Sequence, residues 1–281
     1  MPEGDTIHKI ANYLAPKLTD QTLDSLRIAQ RGDQARDQAR LAGLRIVDVR
    51  AHGKHLYIDL ADGSSIRSHL GMHGSWHRYP QDTPWRKPAH WATLVARVNR
   101  EDYVCFNAKE VELVNTPSVR EHILSARLGP DLTGSTPIAP ATLVARARAI
   151  EAPDAIVADA LLNQQVASGI GNVYKSEVLF LAGLHPTQAL AETPDEVLAV
   201  CFESAAQLLR SNLHGGKRIT RREGDHAGRL WVYRRAGLPC LRCDDTIEYA
   251  RIGRHHRSTY WCSSCQRNAK KGSGYFFDAK K

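Results

Sequence analysis

The sequence has no run of apolar residues as long as the roughly 18 that a membrane-spanning helix needs. It also lacks a leader, in which a charged segment and then an apolar one would precede the first helical pattern. Internal repeats and low-complexity tracts are missing too. We therefore expect a soluble, unexported protein of the cytoplasm with no membrane partner. A length of 281 residues predicts about two domains.

Acidic residues are outnumbered, with 30 Asp and Glu against 38 Lys and Arg, and the net charge is +8. An excess of positive charge favours a polyanionic partner, most simply nucleic acid, although many basic proteins bind none.

Cysteine is scarce, and its six copies are of two kinds. Cys105 and Cys201 stand alone among apolar residues and are predicted to be small buried side chains. The other four form CLRC at 240–243 and CSSC at 262–265, a spacing typical of a zinc site with four cysteine ligands. Four thiolates leave no open coordination position, so we expect one structural Zn²⁺. Its predicted ligands are Cys240, Cys243, Cys262 and Cys265.

The first half of the chain, residues 1–133, is predicted to be β-rich after an initial helix. That helix is indicated by an apolar stripe from Ile7 to Leu14, with Asp5 as its N-cap. Strand patterns follow, separated by the turns ADGS and NRED. The stretch HRYPQDTPWRKPAHW between them predicts an exposed loop.

The second half has a different periodicity. Proline and glycine mark residues 134–142 as a linker, and residues 143–237 carry helical spacing that is interrupted at VASGIGN. The two CxxC pairs lie in a short segment, 238–267, which we expect to fold around its metal. A basic tail, 268–281, completes the chain.

The residues before the first helix suggest an active site. If the initiator Met1 is removed, Pro2 supplies a secondary amine with the carboxylate of Glu3 one residue away. A free α-amine has a pKa of roughly 8, and the positive end of the following helix would lower that pKa. Helix entry by itself explains the sequence only from Asp5 onward.

Four features occur in order: the Pro2–Glu3 start, GKHL at 53–56, a helix–GIGN–helix segment and the terminal CxxC hairpin. Together they resemble the formamidopyrimidine-DNA glycosylase/endonuclease VIII family of base-excision repair enzymes. The resemblance covers nearly the whole chain. It implies an α+β fold, with an N-terminal β-sandwich, a helix-two-turn-helix domain and a zinc-finger β-hairpin.

The resemblance also implies catalytic roles. The amine of Pro2 would attack C1′ of a damaged nucleoside and form a Schiff base, and Glu3 would transfer protons to and from the sugar and leaving groups. Lys54, at the family's lysine position, would contact phosphate and the leaving base. His52 and His55 match no family position.

DNA-binding roles are implied for three further residues. Asn172 and Arg257 would hold phosphates, and Met72 would fill the space left by the extruded base. In two places the sequence departs from the family. Asn163 stands where an aspartate is common, and FNAKEVELV replaces a loop that usually supplies an arginine and a phenylalanine.

The implied function is a DNA glycosylase and AP lyase that removes an oxidised base and then cleaves the strand by β,δ-elimination. The MPEGDT start and the missing loop favour the endonuclease VIII branch, and with it oxidised pyrimidines. An 8-oxoguanine/formamidopyrimidine glycosylase is the alternative, and a non-catalytic DNA-binding protein of the same fold is a second one. We expect a bacterial monomer that is associated with the nucleoid and binds damaged DNA.

Overall fold

A computed structural model describes residues 2–29, 40–115, 128–152, 154–221 and 228–268. Its first element is an amphipathic helix, α1 (Gly4–Leu18). The predicted apolar stripe is buried, except that Ile10 is only half-buried and Leu18 joins the buried face. The prediction that Asp5 is the N-cap is wrong. Glu3 has the extended backbone of a cap residue, φ −128° and ψ −174°, and Asp5 lies buried in the first turn.

In the first of two units, residues 1–127, eight strands follow α1 among the described residues. One sheet has the antiparallel order β1-β6-β7-β5 and the other the order β2-β3-β4-β8. Apolar side chains of both sheets and of α1 share one core, so the unit is a β-sandwich with a helix packed against it. The strands are β1 (Ser25–Ile28), β2 (Ile46–His52), β3 (His55–Leu60), β4 (Ser64–His69), β5 (Ser75–Pro80), β6 (Ala92–Val98), β7 (Glu101–Phe106) and β8 (Glu110–Asn115).

Both predicted turns are confirmed, since ADGS joins β3 to β4 and NRED joins β6 to β7. Two strands were not predicted. β1 is short, and β5 occupies the start of the stretch predicted to be an exposed loop. β5 is an edge strand, which is where a sheet tolerates a proline such as Pro80. Beyond it, residues 81–88 form the loop.

The second unit, residues 128–281, is helical and has its own core. Helices form where the sequence carries helical spacing, and residues 166–171 interrupt them as predicted. The interruption is needed because Gly169 has φ +112°, outside the helical region and unfavourable for other residues. The helices are α2 (Pro140–Ile150), α3 (Val157–Leu162), α4 (Asn172–Leu181) and α5 (Asp195–Ser211).

The four clustered cysteines flank a small antiparallel hairpin of β9 (Glu248–Ile252) and β10 (Arg257–Trp261), with one CxxC pair before β9 and the other after β10. Cys240 and Cys262 pack in a separate apolar cluster with Phe180 of α4 and with Val232. The α+β class, the sandwich and the hairpin with its four cysteines are confirmed. The predicted domain boundaries at 133, 142 and 237 stay predictions, and the tail lies outside the described residues apart from Asn268.

None of the helices among the described residues is long and apolar enough to cross a membrane.

Candidate active site and nucleic-acid interface

Pro2 and Glu3 lie immediately before α1, and they differ in exposure. Pro2 is half-buried, whereas Glu3 is completely buried. The carbonyl oxygen of Glu3 accepts hydrogen bonds from the amides of Thr6 (2.9 Å) and Ile7 (3.2 Å), which fixes the backbone of this segment. Glutamate is rarely buried fully unless it is paired. The carboxylate of Glu3 is therefore not part of a solvated helix start, and its position next to Pro2 is compatible with the predicted site.

Lys54 lies in the tight turn between β2 and β3, which Gly53 permits with φ +54°. The side chain is half-buried, and α1 packs against both of these strands. Burial lowers the pKa of His69, at the end of β4, and the positive charge of Lys54 lowers it further. Lys54 therefore lies near His69, a residue to which the sequence analysis gave no role.

The lowered pKa of His69 favours the neutral ring, and its Nδ1 atom is buried with no hydrogen-bond partner among the described residues. Its ring stacks on that of His55, with centroids 4.8 Å apart. The signal that could have identified it is its position, directly before the loop that carries Met72. A neutral imidazole there can donate one hydrogen bond to a substrate oxygen.

His55 is held by a buried arginine. Arg67 donates a hydrogen bond to Nδ1 of His55 (2.7 Å) and contacts Glu110 (3.2 Å) and Glu112 (2.9 Å). Because a guanidinium only donates, Nδ1 must be the acceptor, and the proton of His55 is on Nε2. Burial, assisted by the charges of His69 and Arg67, lowers the pKa of His55 to about 3. This cluster links β3, β4 and β8 next to the turn that carries Lys54.

Met72 lies at the tip of a tight loop after β4, and the residue is 58% exposed. The loop closes through a hydrogen bond from the amide of Gly74 to the carbonyl of Leu70 (3.0 Å). A Cβ at Gly74 would lie 2.4 Å from that oxygen, so the loop requires glycine there. A rigid loop with an exposed apolar tip fits the predicted wedge.

The segment FNAKEVELV forms a short connection followed by a strand. β7 ends at Phe106 and β8 begins at Glu110, so only residues 107–109 connect them. Lys109 packs under the Met72 loop, where a Cβ on Gly71 would lie 2.9 Å from Cβ of Lys109. So short a connection leaves Met72 as the exposed apolar side chain of this loop region.

In the second unit, Asn172 is the first residue of α4 and is nearly buried, with 7% exposure. Gly171 is the N-cap and has no side chain to cover the first turn of the helix. In general, the N-terminus of a helix attracts an anion, because the positive end of the helix dipole lies there. The predicted phosphate position of Asn172 is therefore at a helix N-terminus.

Arg257 is the first residue of β10, next to the hairpin tip, and it is exposed. The tip is seated on α3: a Cβ at Gly253 would lie 2.3 Å from a carboxylate oxygen of Asp159, and the amide of Arg254 donates to Asp159 (3.1 Å). The guanidinium of Arg254 forms an ion pair with the buried carboxylate of Glu151. The backbone next to Arg257 is thus held firmly while its side chain extends into solvent.

Asn163 belongs to the same network, because its amide nitrogen donates to Glu151 (2.7 Å). Its side-chain oxygen accepts from the amide of Gln165 (2.9 Å). An aspartate here would place a second carboxylate against Glu151. The departure from the family at this position thus fits the Glu151–Arg254 pair of this chain.

The four cysteines fit a tetrahedral metal ion. The sulfur ligand atoms of the four residues all lie within 4.8 Å of one another. Zn–S bonds of about 2.3 Å imply sulfur separations of roughly 3.8 Å. The Sγ atoms of Cys240 and Cys265 are 3.8 Å apart, and those of Cys243 and Cys262 are 3.5 Å apart. Cys105 and Cys201 are completely buried elsewhere, as predicted.

The candidate residues thus form two groups. Each group lies within one unit: Pro2, Glu3, Lys54 and Met72 in the first, and Asn172, Arg257 and the four cysteines in the second.

Two family models match this chain. The formamidopyrimidine-DNA glycosylase N-terminal domain matches residues 1–116, and the formamidopyrimidine-DNA glycosylase H2TH domain matches residues 128–223. Together they cover well over half of the sequence. The chain belongs to the formamidopyrimidine-DNA glycosylase family, as the sequence motifs predicted.

Relatives in this family carry two kinds of name. Endonuclease 8 2 of Mycobacterium bovis is 36% identical over 270 residues, which cover 95% of this chain and all of the relative. The DNA-(apurinic or apyrimidinic site) lyase Nei2 of Mycolicibacterium smegmatis is 33% identical, with 95% and 99% covered. Formamidopyrimidine-DNA glycosylase of Stenotrophomonas maltophilia is 32% identical, with 95% and 100% covered. These relatives are bacterial, and the predicted enzyme class, DNA glycosylase and AP lyase, is confirmed.

Solved structures support the fold. Formamidopyrimidine-DNA glycosylase of Lactococcus lactis, bound to DNA containing an AP site, matches with a TM-score of 0.79. The sequences are 21% identical, and the match covers 95% of this chain and 100% of the other.

Proposed function

We propose that this protein is a bifunctional DNA glycosylase and AP lyase that removes oxidised bases, pyrimidines in particular. It acts through a Schiff base on the amine of Pro2 and then cleaves the strand by β,δ-elimination. Its partner is damaged DNA, and it acts as a monomer in the bacterial cytoplasm, associated with the nucleoid.

The observation that carries the proposal is the buried carboxylate of Glu3 directly beside Pro2 at the start of α1. A protein that only binds DNA gains nothing from burying a glutamate there, because a carboxylate repels phosphate. A carboxylate next to an amine suits proton transfer, which needs both groups within hydrogen-bond reach of one sugar. The proposal requires that Met1 is the initiator and is removed.

The chemistry uses few groups. The nitrogen of Pro2 forms a bond to C1′ as the bond from C1′ to the base breaks, and the base leaves with its electron pair and takes up a proton. The nitrogen loses its own proton. Glu3 protonates the ring oxygen as its bond to C1′ opens, which leaves an iminium ion. Loss of a proton from C2′ then expels the 3′-phosphate, and a second elimination expels the 5′-phosphate.

The other residues position the DNA. Lys54 binds phosphate and the leaving base, and Met72 occupies the space vacated by the extruded nucleotide. Asn172 and Arg257 hold phosphates of the same strand, Arg257 through two parallel hydrogen bonds. The four cysteines hold one structural Zn²⁺, which keeps the hairpin that carries Arg257 folded.

Preference for pyrimidines is supported by the short β7–β8 connection, residues 107–109, since it offers no arginine or phenylalanine to the opposite strand. The higher identity to a relative named endonuclease 8 points the same way. An 8-oxoguanine or formamidopyrimidine substrate is the second candidate, favoured by the relatives named formamidopyrimidine-DNA glycosylase.

Borohydride trapping tests the proposal. Purified protein is mixed with duplexes that carry an oxidised pyrimidine, 8-oxoguanine or an abasic site, and a covalent adduct is expected with the pyrimidine and abasic duplexes. An N-terminal tag that retains Met1 should abolish trapping, whereas the same tag at the C-terminus should not. Glu3→Gln should bind lesion DNA without excising the base, and Glu203→Gln, an exposed change on α5, is the matched control.

Three results would count against the proposal. Trapping by the N-terminally blocked protein would exclude Pro2 as the nucleophile. Excision by Glu3→Gln at the wild-type rate would assign proton transfer to another group. Tight binding of all duplexes without any adduct would identify a DNA-binding protein that lacks catalysis.

A further inference from the structure

Lys175 is completely buried in the second turn of α4, which is an unusual position for a lysine. The partners of its ammonium group include three oxygens: Oγ1 of Thr259 at 2.6 Å, the carbonyl of Ser258 at 3.2 Å and Oδ1 of Asn172 at 3.4 Å. Ser258 and Thr259 belong to β10, the strand that begins with Arg257. One buried cation thus joins the start of α4 to the zinc hairpin.

The contact with Asn172 determines which way its amide faces. An ammonium group has donors and no acceptor, so the atom of Asn172 that faces Lys175 must be the oxygen. The NH₂ group then lies on the other side of the side chain, where it can donate to an acceptor outside the protein. Without Lys175, the amide of Asn172 could turn by 180° and present its oxygen, which would repel a phosphate.

The contacts of Lys175 with β10 extend through hydrogen bonds to the backbone of Arg257. Oγ1 of Thr259, which accepts from Lys175, donates in turn to the carbonyl of Arg257 (2.9 Å). This chain of hydrogen bonds fixes the backbone from which the exposed side chain of Arg257 extends.

Burial of an ammonium group costs free energy that its hydrogen bonds only offset, and replacing such a group by an apolar side chain of similar volume is often neutral or stabilising. The position therefore serves something other than stability. We propose that Lys175 is a positioning residue: it presents the NH₂ group of Asn172 and aligns β10 so that Asn172 and Arg257 grip one DNA backbone together. This inference rests on the proposed function. Lys175 is buried and does not itself touch DNA.

The test uses full-length, zinc-loaded protein and a duplex that contains a tetrahydrofuran abasic analogue. Lys175→Met removes the charge and the donors but keeps most of the volume. Binding should weaken about tenfold, the effect of losing one charge-assisted hydrogen bond. The trapping rate at saturating abasic-site DNA should stay within about twofold of wild type, because Pro2 and Glu3 are unchanged.

Two further measurements separate positioning from plain structural support. The slope of log binding constant against log salt concentration should stay within about half a unit of the wild-type value. Lys175 does not contact phosphate, so its loss does not change the number of counterions that binding releases. The fold-loss of DNA affinity in the double variant Asn172→Ala/Lys175→Met should be clearly smaller than the product of the fold-losses in the two single variants. Arg148→Met is the matched control, since Arg148 anchors Thr193 and Asp195 in the same unit and touches neither Asn172 nor β10 in any hydrogen bond or ion pair of the described residues.

Wild-type affinity in Lys175→Met with its zinc retained would overturn the inference. A slope reduced by a full unit would overturn it too, since Lys175 would then be a phosphate ligand, and so would strictly multiplicative losses in the double variant. If Lys175→Met loses zinc or unfolds, Thr259→Val decides: it keeps the charge but breaks the link to Arg257, and unchanged binding would refute the proposal. Failure of wild-type protein to bind or trap lesion DNA would instead refute the proposed function.

Discussion

The buried carboxylate of Glu177 on α4 should be a sensitive point of the second unit. It accepts hydrogen bonds from three consecutive backbone amides, those of Trp231 (2.7 Å), Val232 (2.9 Å) and Tyr233 (2.8 Å), and from the hydroxyl of Thr220. These amides lie in the segment that leads to Cys240. We predict that Glu177→Gln, which keeps the shape of the side chain, loosens this segment.

The size of the effect follows from the contacts. An amide oxygen at the Oε1 position can still accept from Val232 and Tyr233, but with less strength than a charged carboxylate. The NH₂ group then faces the amide of Trp231, donor against donor. One buried donor without an acceptor costs roughly 1–3 kcal/mol, and the two weakened hydrogen bonds add about 1 kcal/mol, for a total of about 3 kcal/mol. Glu177→Ala leaves three amides without acceptors and should cost on the order of 5 kcal/mol.

Hydrogen exchange measures this directly. A loss of about 3 kcal/mol corresponds to roughly hundredfold faster exchange of the amides of residues 231–233 in Glu177→Gln. The exposed control, Glu203→Gln on α5, should change stability by less than about 0.5 kcal/mol. If those amides exchange at the wild-type rate in Glu177→Gln, the carboxylate does not hold the segment, and the reasoning is wrong.

Four further outcomes are expected. Arg257→Ala should keep its full zinc content, but the slope of log binding constant against log salt concentration should become shallower by about one unit. An unchanged slope and affinity would mean that the hairpin tip does not contact DNA. Cys262→Ser or a chelator should remove metal and DNA binding together, as metal analysis and binding assays will show; DNA binding that survives full metal loss would contradict this. Met72→Ala should leave stability unchanged, because the residue is 58% exposed. The excision rate should fall about tenfold more on duplex DNA than on single-stranded DNA. The pKa of His55 is lowered from 6.5 to about 3, so between these pH values the unfolded state binds a proton that the folded state does not. The free energy of unfolding should therefore decrease as the pH falls through this range, by about 2 kcal/mol at pH 5. In His55→Phe, unfolding measured at the same pH values should lack this contribution.

The features that could be predicted from the sequence are those that neighbouring residues determine. Two CxxC pairs supply four ligands of one type, and the closely spaced glycines of VASGIGN disfavour a helix through that segment. The stripe along α1 follows from helical periodicity, and Pro2 and Glu3 are adjacent in the chain. For these features the partner of each residue lies close in sequence or is of the same type, so the pattern identifies it.

Only the tertiary structure decided the rest. β5 is a strand because β7 lies beside it, despite the proline and tryptophan that suggested a loop. Lys175 reads in the sequence as one more lysine of a helix, and its partner Thr259 is 84 residues away. Burial of Glu3 and of the His55–Arg67 pair likewise depends on which surfaces the fold brings together. Hydrogen bonds of this kind are set by distance and desolvation, which the order of residues does not encode locally.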